Sequence, residues 1–181
     1  GARPAAGGRA GAVCGAGGEA GGRGGGAGPG DGGLGRVDGG RDGSGRTREG
    51  CVAALRVEPY ENRVVLPHER THAGPKEGRL RLLRATRTQL EPIFLLWDGT
   101  IEVGGLGEPD LAVDEGGVEA KLWRLDPEFG AALTDELKDA QLLIADGHHR
   151  YAAALAFHAE DGSEGSAFMP GVIGRTGQEG L

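Results

Sequence analysis

The densest run of chemically competent residues is Asp146-Gly147-His148-His149-Arg150. Four apolar residues precede it, Leu142-Leu143-Ile144-Ala145, and Tyr151-Ala152-Ala153-Ala154-Leu155 follow. This pattern predicts a buried strand, an Asp-Gly turn and a helix that opens at the histidines. Backbone N–H groups and the positive end of the helix dipole then converge on one point. Gly147 lets the backbone come close to a ligand. Arg150, in the first helical turn, offers a planar fork to phosphate or carboxylate. His148 and His149 add hydrogen-bond donors or a titrating base. Asp146, Gly147, His148, His149 and Arg150 are therefore the expected anion-binding set. The plainer alternative is that Asp146 caps the helix and Gly147 only makes the turn.

A second stretch, His68-Glu69-Arg70-Thr71-His72-Ala73-Gly74-Pro75-Lys76, mixes acid, base and hydroxyl in a loop before a helix. Alone it reads as a solvated connector with a capping threonine. A metal reading draws on Asp146, His148, His149 and His158, but His149 and His158 do not share the three- or four-residue spacing of one helix face. His68, Glu69 and His72 would have to complete such a site from a distance, and no cysteine pair helps. No tightly held metal is expected; a nucleotide-borne Mg²⁺ needs only one or two carboxylates, such as Glu69 or Asp146.

The elements that must position these residues follow from periodicity. Residues 52–57 and 64–66 read as short strands. Residues 76–90 form the best helix, with Leu80, Leu83 and Leu90 at helical spacing, Leu82 widening the stripe and Pro92 ending it. The run Ile93-Phe94-Leu95-Leu96-Trp97 suits a strand buried on both faces. Residues 118–125 alternate as a strand and residues 127–140 read as a helix. Residues 142–145 form a buried strand, and residues 149–160 the last helix. Trp97 and Trp123 are expected in the core, and the arginines around residues 79–87 on a solvated face. Interleaved strands and helices predict an α/β or α+β domain with a small mixed sheet and flanking helices.

Composition limits how much of the chain belongs to that domain. The 181 residues include 38 glycines, about a fifth of the chain against a typical share of roughly 7%. Of these, 22 fall in residues 1–50, whose only large aliphatic residues are Val13, Leu34 and Val37. So few apolar side chains cannot offset the entropy of ordering fifty residues. Residues 1–50 are expected to be a disordered glycine-rich segment, read either as a linker or as out-of-frame coding. The second reading rests on 17 Arg against three Lys, a sign of GC-rich DNA. The domain is expected over residues 51–170 and a disordered tail over residues 171–181. Residues 1–50 carry seven basic and five acidic residues, a net of +2; the remainder carries 13 and 22, a net of −9, giving the total of −7. That acidic balance argues against direct nucleic-acid binding. The two cysteines, Cys14 and Cys51, form no disulfide framework, and with no apolar run near 20 residues a cytoplasmic protein is expected. The chain opens on Gly1 rather than Met and is read as a fragment.

The ordered combination of His68-Glu69-Arg70-Thr71, Gly74-Pro75-Lys76, Arg79-Leu80, Leu82-Leu83-Arg84-Ala85-Thr86, Glu91-Pro92-Ile93-Phe94 and residues 144–151 resembles the uncharacterised prokaryotic family catalogued as domain of unknown function 1015. Trp123-Arg124 fits between these motifs, and the resemblance covers residues 51–160. Its Asp-Gly-His-His-Arg motif is similar to the Asp-Gly-His-x-Arg and Gly-Glu-x-Arg motifs of the ParB and sulfiredoxin-like superfamily. That resemblance implies phosphate held by Gly147, His148, His149 and Arg150, with Glu69 as general base or metal carboxylate. It implies a nucleotide cofactor (ATP, ADP or CTP) with Mg²⁺, a small-molecule phosphate or nucleotide as partner, and small-molecule kinase or phosphohydrolase activity with Glu69, His148 and His149 as catalytic residues. A regulatory or DNA-associated module is the alternative implied by other members, and a metal-dependent hydrolase is a third reading. Fold alone does not decide among them. Members of the family carry an upstream strand and a Pro-Tyr-Asp turn that residues 1–50 lack, so an open edge and an incomplete pocket are expected.

Overall fold

The computed structural model describes residues 12–13, 35–39, 48–70, 72–99, 107–115, 118–125 and 127–177. In chain order the strands are β1 (Ala12–Val13), β2 (Gly35–Gly39), β3 (Arg48–Arg56), β4 (Val65–Leu66), β5 (Ile93–Trp97), β6 (Leu111–Glu115), β7 (Val118–Arg124), β8 (Leu142–Asp146) and β9 (Phe168–Arg175). The helices are α1 (Ala73–Thr86), α2 (Pro127–Leu137) and α3 (His148–Asp161). The expected mixed sheet with flanking helices is present, and it is larger than composition suggested. Nine strands run in the order β4-β8-β5-β9-β3-β2-β7-β6, with β1 beside β3.

The added size comes from both ends of the chain. In residues 1–50, β1 pairs with Ala54 and Leu55 of β3, and β2 pairs with residues 48–52 of the same strand. The nine residues of β3 are long enough to carry both on one edge. At the other end, the expectation of a disordered tail over 171–181 fails for residues 171–175. They belong to β9, which lies between β3 and β5 and buries Ile173 completely. Long-range pairing supplies what local propensity withheld. Residues 178–181, like most of 1–47, fall outside the described residues.

One face of the sheet carries the core. Leu55, Ile93, Leu95, Ile144 and Met169 are fully buried there against Tyr151 and Ala154 of α3 and Leu133 and Leu137 of α2. Each such aliphatic side chain contributes about 1.5–3 kcal/mol by leaving water. β5 does not match the sequence reading of a strand buried on both faces. Ile93, Leu95 and Trp97 are buried, whereas Phe94 and Leu96 are only partly so. Helices cover one side of it, so burial alternates with the pleat. Trp97 and Trp123 are core residues, as expected. Among the described residues, no helix is long and apolar enough to cross a membrane.

Helix α1 packs on α3 through Leu80 and Leu83 against Ala153 and Phe157. It starts and stops earlier than its leucine spacing predicts. Arg87 adopts a left-handed conformation (φ 51°) and returns its N–H to the Leu83 carbonyl at 2.8 Å. The Thr86 hydroxyl donates to Leu82 and accepts from the Thr88 amide, and this side-chain bonding competes with further helix. Leu82 and Leu90, counted in the apolar stripe, are exposed.

Candidate functional site

Two strand-to-helix junctions build the site. β4 and β8 are adjacent and parallel, with Val65 opposite Leu142 and Leu66 opposite Leu143. β4 leads through residues 67–72 into α1; β8 leads through Gly147 alone into α3. His72 contacts His149 where the helices begin, and Arg84 and Arg87 contact Glu160 and Asp161 where they end. The helices are therefore parallel, and their positive ends open together beyond the carboxyl ends of the two strands. Ligands of open α/β sheets commonly bind at that position.

The β8 junction is tight because of Gly147. It sits at the N-cap of α3 with φ 99°, and a Cβ there would lie 2.5 Å from Ile93 Cγ2. Only glycine meets both conditions without strain. Just before it, the β5–β8 register shifts, Phe94 facing Asp146 while Leu95 faces Ile144. This bulge re-aims the last residues of β8.

His148 is buried to 2% exposure. Its Nε2 accepts the His68 amide at 3.3 Å, and its Nδ1 faces Glu69 Oε1 at 3.2 Å. Burial, reinforced by the neighbouring His68, lowers its pKa below the ordinary histidine value; Glu69 and Asp146 act in the opposite sense. The ring is therefore neutral at pH 7. His68 is held in turn by its Nδ1, which donates to the Ile144 carbonyl at 2.7 Å. The two rings meet edge to face, their centroids 4.4 Å apart. His149 Nε2 accepts the His72 amide at 3.0 Å, and their rings stack at 6.1 Å. Consecutive imidazoles on α3 thus grip both ends of the loop that begins α1.

The other expected site residues fall differently. Asp146 does not cap α3, which has no side-chain cap. Its carboxylate pairs instead with Arg150, whose guanidinium also donates to the Pro92 carbonyl and lies 3.6 Å from Glu91. Glu91 also pairs with Arg79 of α1 at 3.4 Å. Arg150 is thus a brace between α3 and the loop before β5, its charge offset by two carboxylates. Glu69 is exposed and beside His148. His158 lies elsewhere, against the Ser166 hydroxyl at 2.7 Å. One level down, Tyr151 fixes α3 to the sheet: its hydroxyl accepts the Glu58 amide at 2.9 Å and donates to the Glu58 carbonyl at 2.8 Å. Sequence reasoning missed Glu91 and Pro92 as the seat of Arg150 and Ile93 as the wall behind Gly147. No spacing rule signals contacts across such separations.

Neither helix has a side-chain cap or an acidic residue in its first turn. At α1 the His72 amide is taken by His149 and Pro75 has no N–H, so Ala73 and Gly74 carry its remaining first-turn donors, with His68, Glu69, His72, His148 and His149 nearby.

Neither the curated proteins nor the solved structures contain a match to the chain. A family model does match, over residues 38–171, starting within the segment that composition had set apart and ending inside β9. The chain belongs to the family described as Protein of unknown function (DUF1015).

Proposed function

We propose that the chain binds a phosphate-bearing small molecule, of the nucleotide class, where α1 and α3 begin. One observation carries this reading: two parallel helices present uncapped, acid-free N-termini side by side, joined by the His72–His149 bond. Each terminus carries roughly half a positive elementary charge. Two together form an oriented seat for an anion. Gly147 makes the tight β8–α3 turn that sets the start of α3, and His149 lines the seat. Arg150 is a positioning residue in this reading, holding the β8–α3 turn against the loop before β5. In this reading Glu69, 3.2 Å from the buried imidazole of His148, serves as base or cation ligand toward a phosphoryl group. Small-molecule kinase or phosphohydrolase activity is the reaction class that the ParB and sulfiredoxin-like resemblance adds.

Gly74→Asp tests the seat. Gly74 lies in the first turn of α1 with nothing within 4 Å of an added Cβ. An aspartate fits there and supplies the anion from within, stabilising the free protein by about 0.3–1 kcal/mol. Thermal shift and direct titration with ATP, ADP and CTP, with and without Mg²⁺, should show binding by the parent chain and weakened binding by the variant. A ligand at about 100 times its Kd stabilises by about 2.7 kcal/mol. No binding by the parent, or equal binding by both, overturns the reading.

A further inference from the structure

We propose that His68, Glu69 and His148 together hold a divalent d-block cation. One ligand atom from each lies within 4.8 Å of the other two. His148 Nδ1 and Glu69 Oε1 are 3.2 Å apart, close to the separation of two donors on a tetrahedral ion with bonds of about 2.0–2.1 Å. His68 is prepared as a ligand: a carbonyl only accepts, so the 2.7 Å bond to Ile144 puts the ring proton on Nδ1 and leaves the Nε2 lone pair free. A backbone carbonyl holding the far nitrogen of a ligating histidine is a common second contact in metal sites. His148 sits in the rigid first turn of α3, whereas His68 and Glu69 belong to an exposed loop that can close on the ion.

The spacing rule applied to the sequence looks along one helix and so cannot find this group. It spans the β4–α1 loop and the start of α3.

The donor set selects the cation class. Two imidazole nitrogens and one carboxylate suit Zn²⁺, Fe²⁺ or Mn²⁺ and leave positions open for exogenous oxygen. Mg²⁺ prefers an all-oxygen octahedron and gives up its waters reluctantly. Coordination through His148 Nδ1 requires the ring proton to sit on Nε2, which replaces the long 3.3 Å bond from the His68 amide. The loop takes up that adjustment. The proposal shares its location with the phosphate reading and names the cation of that site.

The test is equilibrium dialysis of the full chain, stripped with a chelator, against Zn²⁺, Mn²⁺ or Mg²⁺ with no phosphate compound present. One equivalent of Zn²⁺ is expected, with no retained Mg²⁺. Glu69→Gln and His68→Ala, both on the exposed loop, should each weaken Zn²⁺ binding at least about tenfold. Co²⁺ should give visible d–d absorption that both variants lose, while His158→Ala keeps it. Absence of stoichiometric Zn²⁺, parent-like binding by both loop variants, or displacement of Zn²⁺ by equimolar Mg²⁺ overturns the proposal. Nucleotide titration is run both in chelator and with Zn²⁺: nucleotide binding without Zn²⁺ binding refutes only the metal, and Zn²⁺ binding with no nucleotide bound in either condition refutes only the phosphate seat.

Discussion

The two ends of the α1–α3 pair are fastened by different chemistry. At the N-terminal end the bonds run from loop amides to imidazole acceptors, His68 to His148 and His72 to His149. At the C-terminal end they are ion pairs, Arg84 with Glu160 at 2.7 Å and Arg87 with Asp161. Exposed ion pairs of this kind contribute little, about 0–1 kcal/mol each, and salt weakens them. The imidazole bonds are indifferent to salt but require neutral rings. A helix pair built this way has one end that responds to protonation of His148, below the ordinary histidine value, and another that responds to ionic strength. The proton-responsive end is the one that carries the candidate site.

The largest way to break this contrast is Gly147→Ala. A left-handed alanine and a Cβ pressed into Ile93 should cost roughly 3 kcal/mol, read as a lower midpoint in denaturant unfolding. Tyr151→Phe comes next, also at the N-terminal end. It strands the amide and carbonyl of Glu58 and should cost about 2 kcal/mol by the same measurement.

Acidification sharpens the contrast without mutation. The folded pKa of His148 lies below its ordinary value of 6.5, so the unfolded chain binds the proton more readily. Stability is complete above 6.5 and declines as pH falls from there toward the lower folded value. In metal-free buffer, lowering pH from about 7 to about 5 should lower the protection factor of the His68 amide, taken against the intrinsic rate at each pH, while amides at the Arg84–Glu160 end keep theirs. Asp161 behaves in the same sense at far lower pH. The Ser163 hydroxyl and Arg87 hold its carboxyl down to about 2, so its contribution is present above 3.8 and fades as pH falls through about 2. The smallest effect is Arg84→Ala, which should lower the unfolding midpoint only slightly, an effect that disappears at high salt. A loss as large as that of Tyr151→Phe that persists in salt would erase the distinction between the two ends.

The elements around the site were legible because their signals are local. β5 matches its apolar run residue for residue, and β8, the turn at Gly147 and α3 follow from one continuous pattern. What escaped was structure made by distant partners. β9 contains Pro170 and two glycines, a composition that argues against a central strand. It is tolerated because the β5 ladder begins only at Gly171, leaving Pro170 without a neighbour on that side. β2 is a glycine-flanked pentapeptide that owes its place to β3 and β7. At the site, residue types named Asp146, Gly147, His148, His149, Arg150 and Glu69, but not the partners the structure gives them. Arg150 was read as a ligand fork, and the structure engages it with Asp146, Glu91 and Pro92.

The position of β9 also constrains the order of assembly. Among the described strands it comes last in chain order and joins β4, β8 and β5 to β3, β2, β7 and β6. During synthesis the sheet exists as two unconnected halves, each with an open edge, until residues 168–175 leave the ribosome. Closure then depends on pairing across more than a hundred residues, Cys51 with Ile173 among them, the kind of non-local contact that makes folding slow. Both halves expose apolar edges while they wait, so the nascent chain is open to wrong pairing until β9 docks between them.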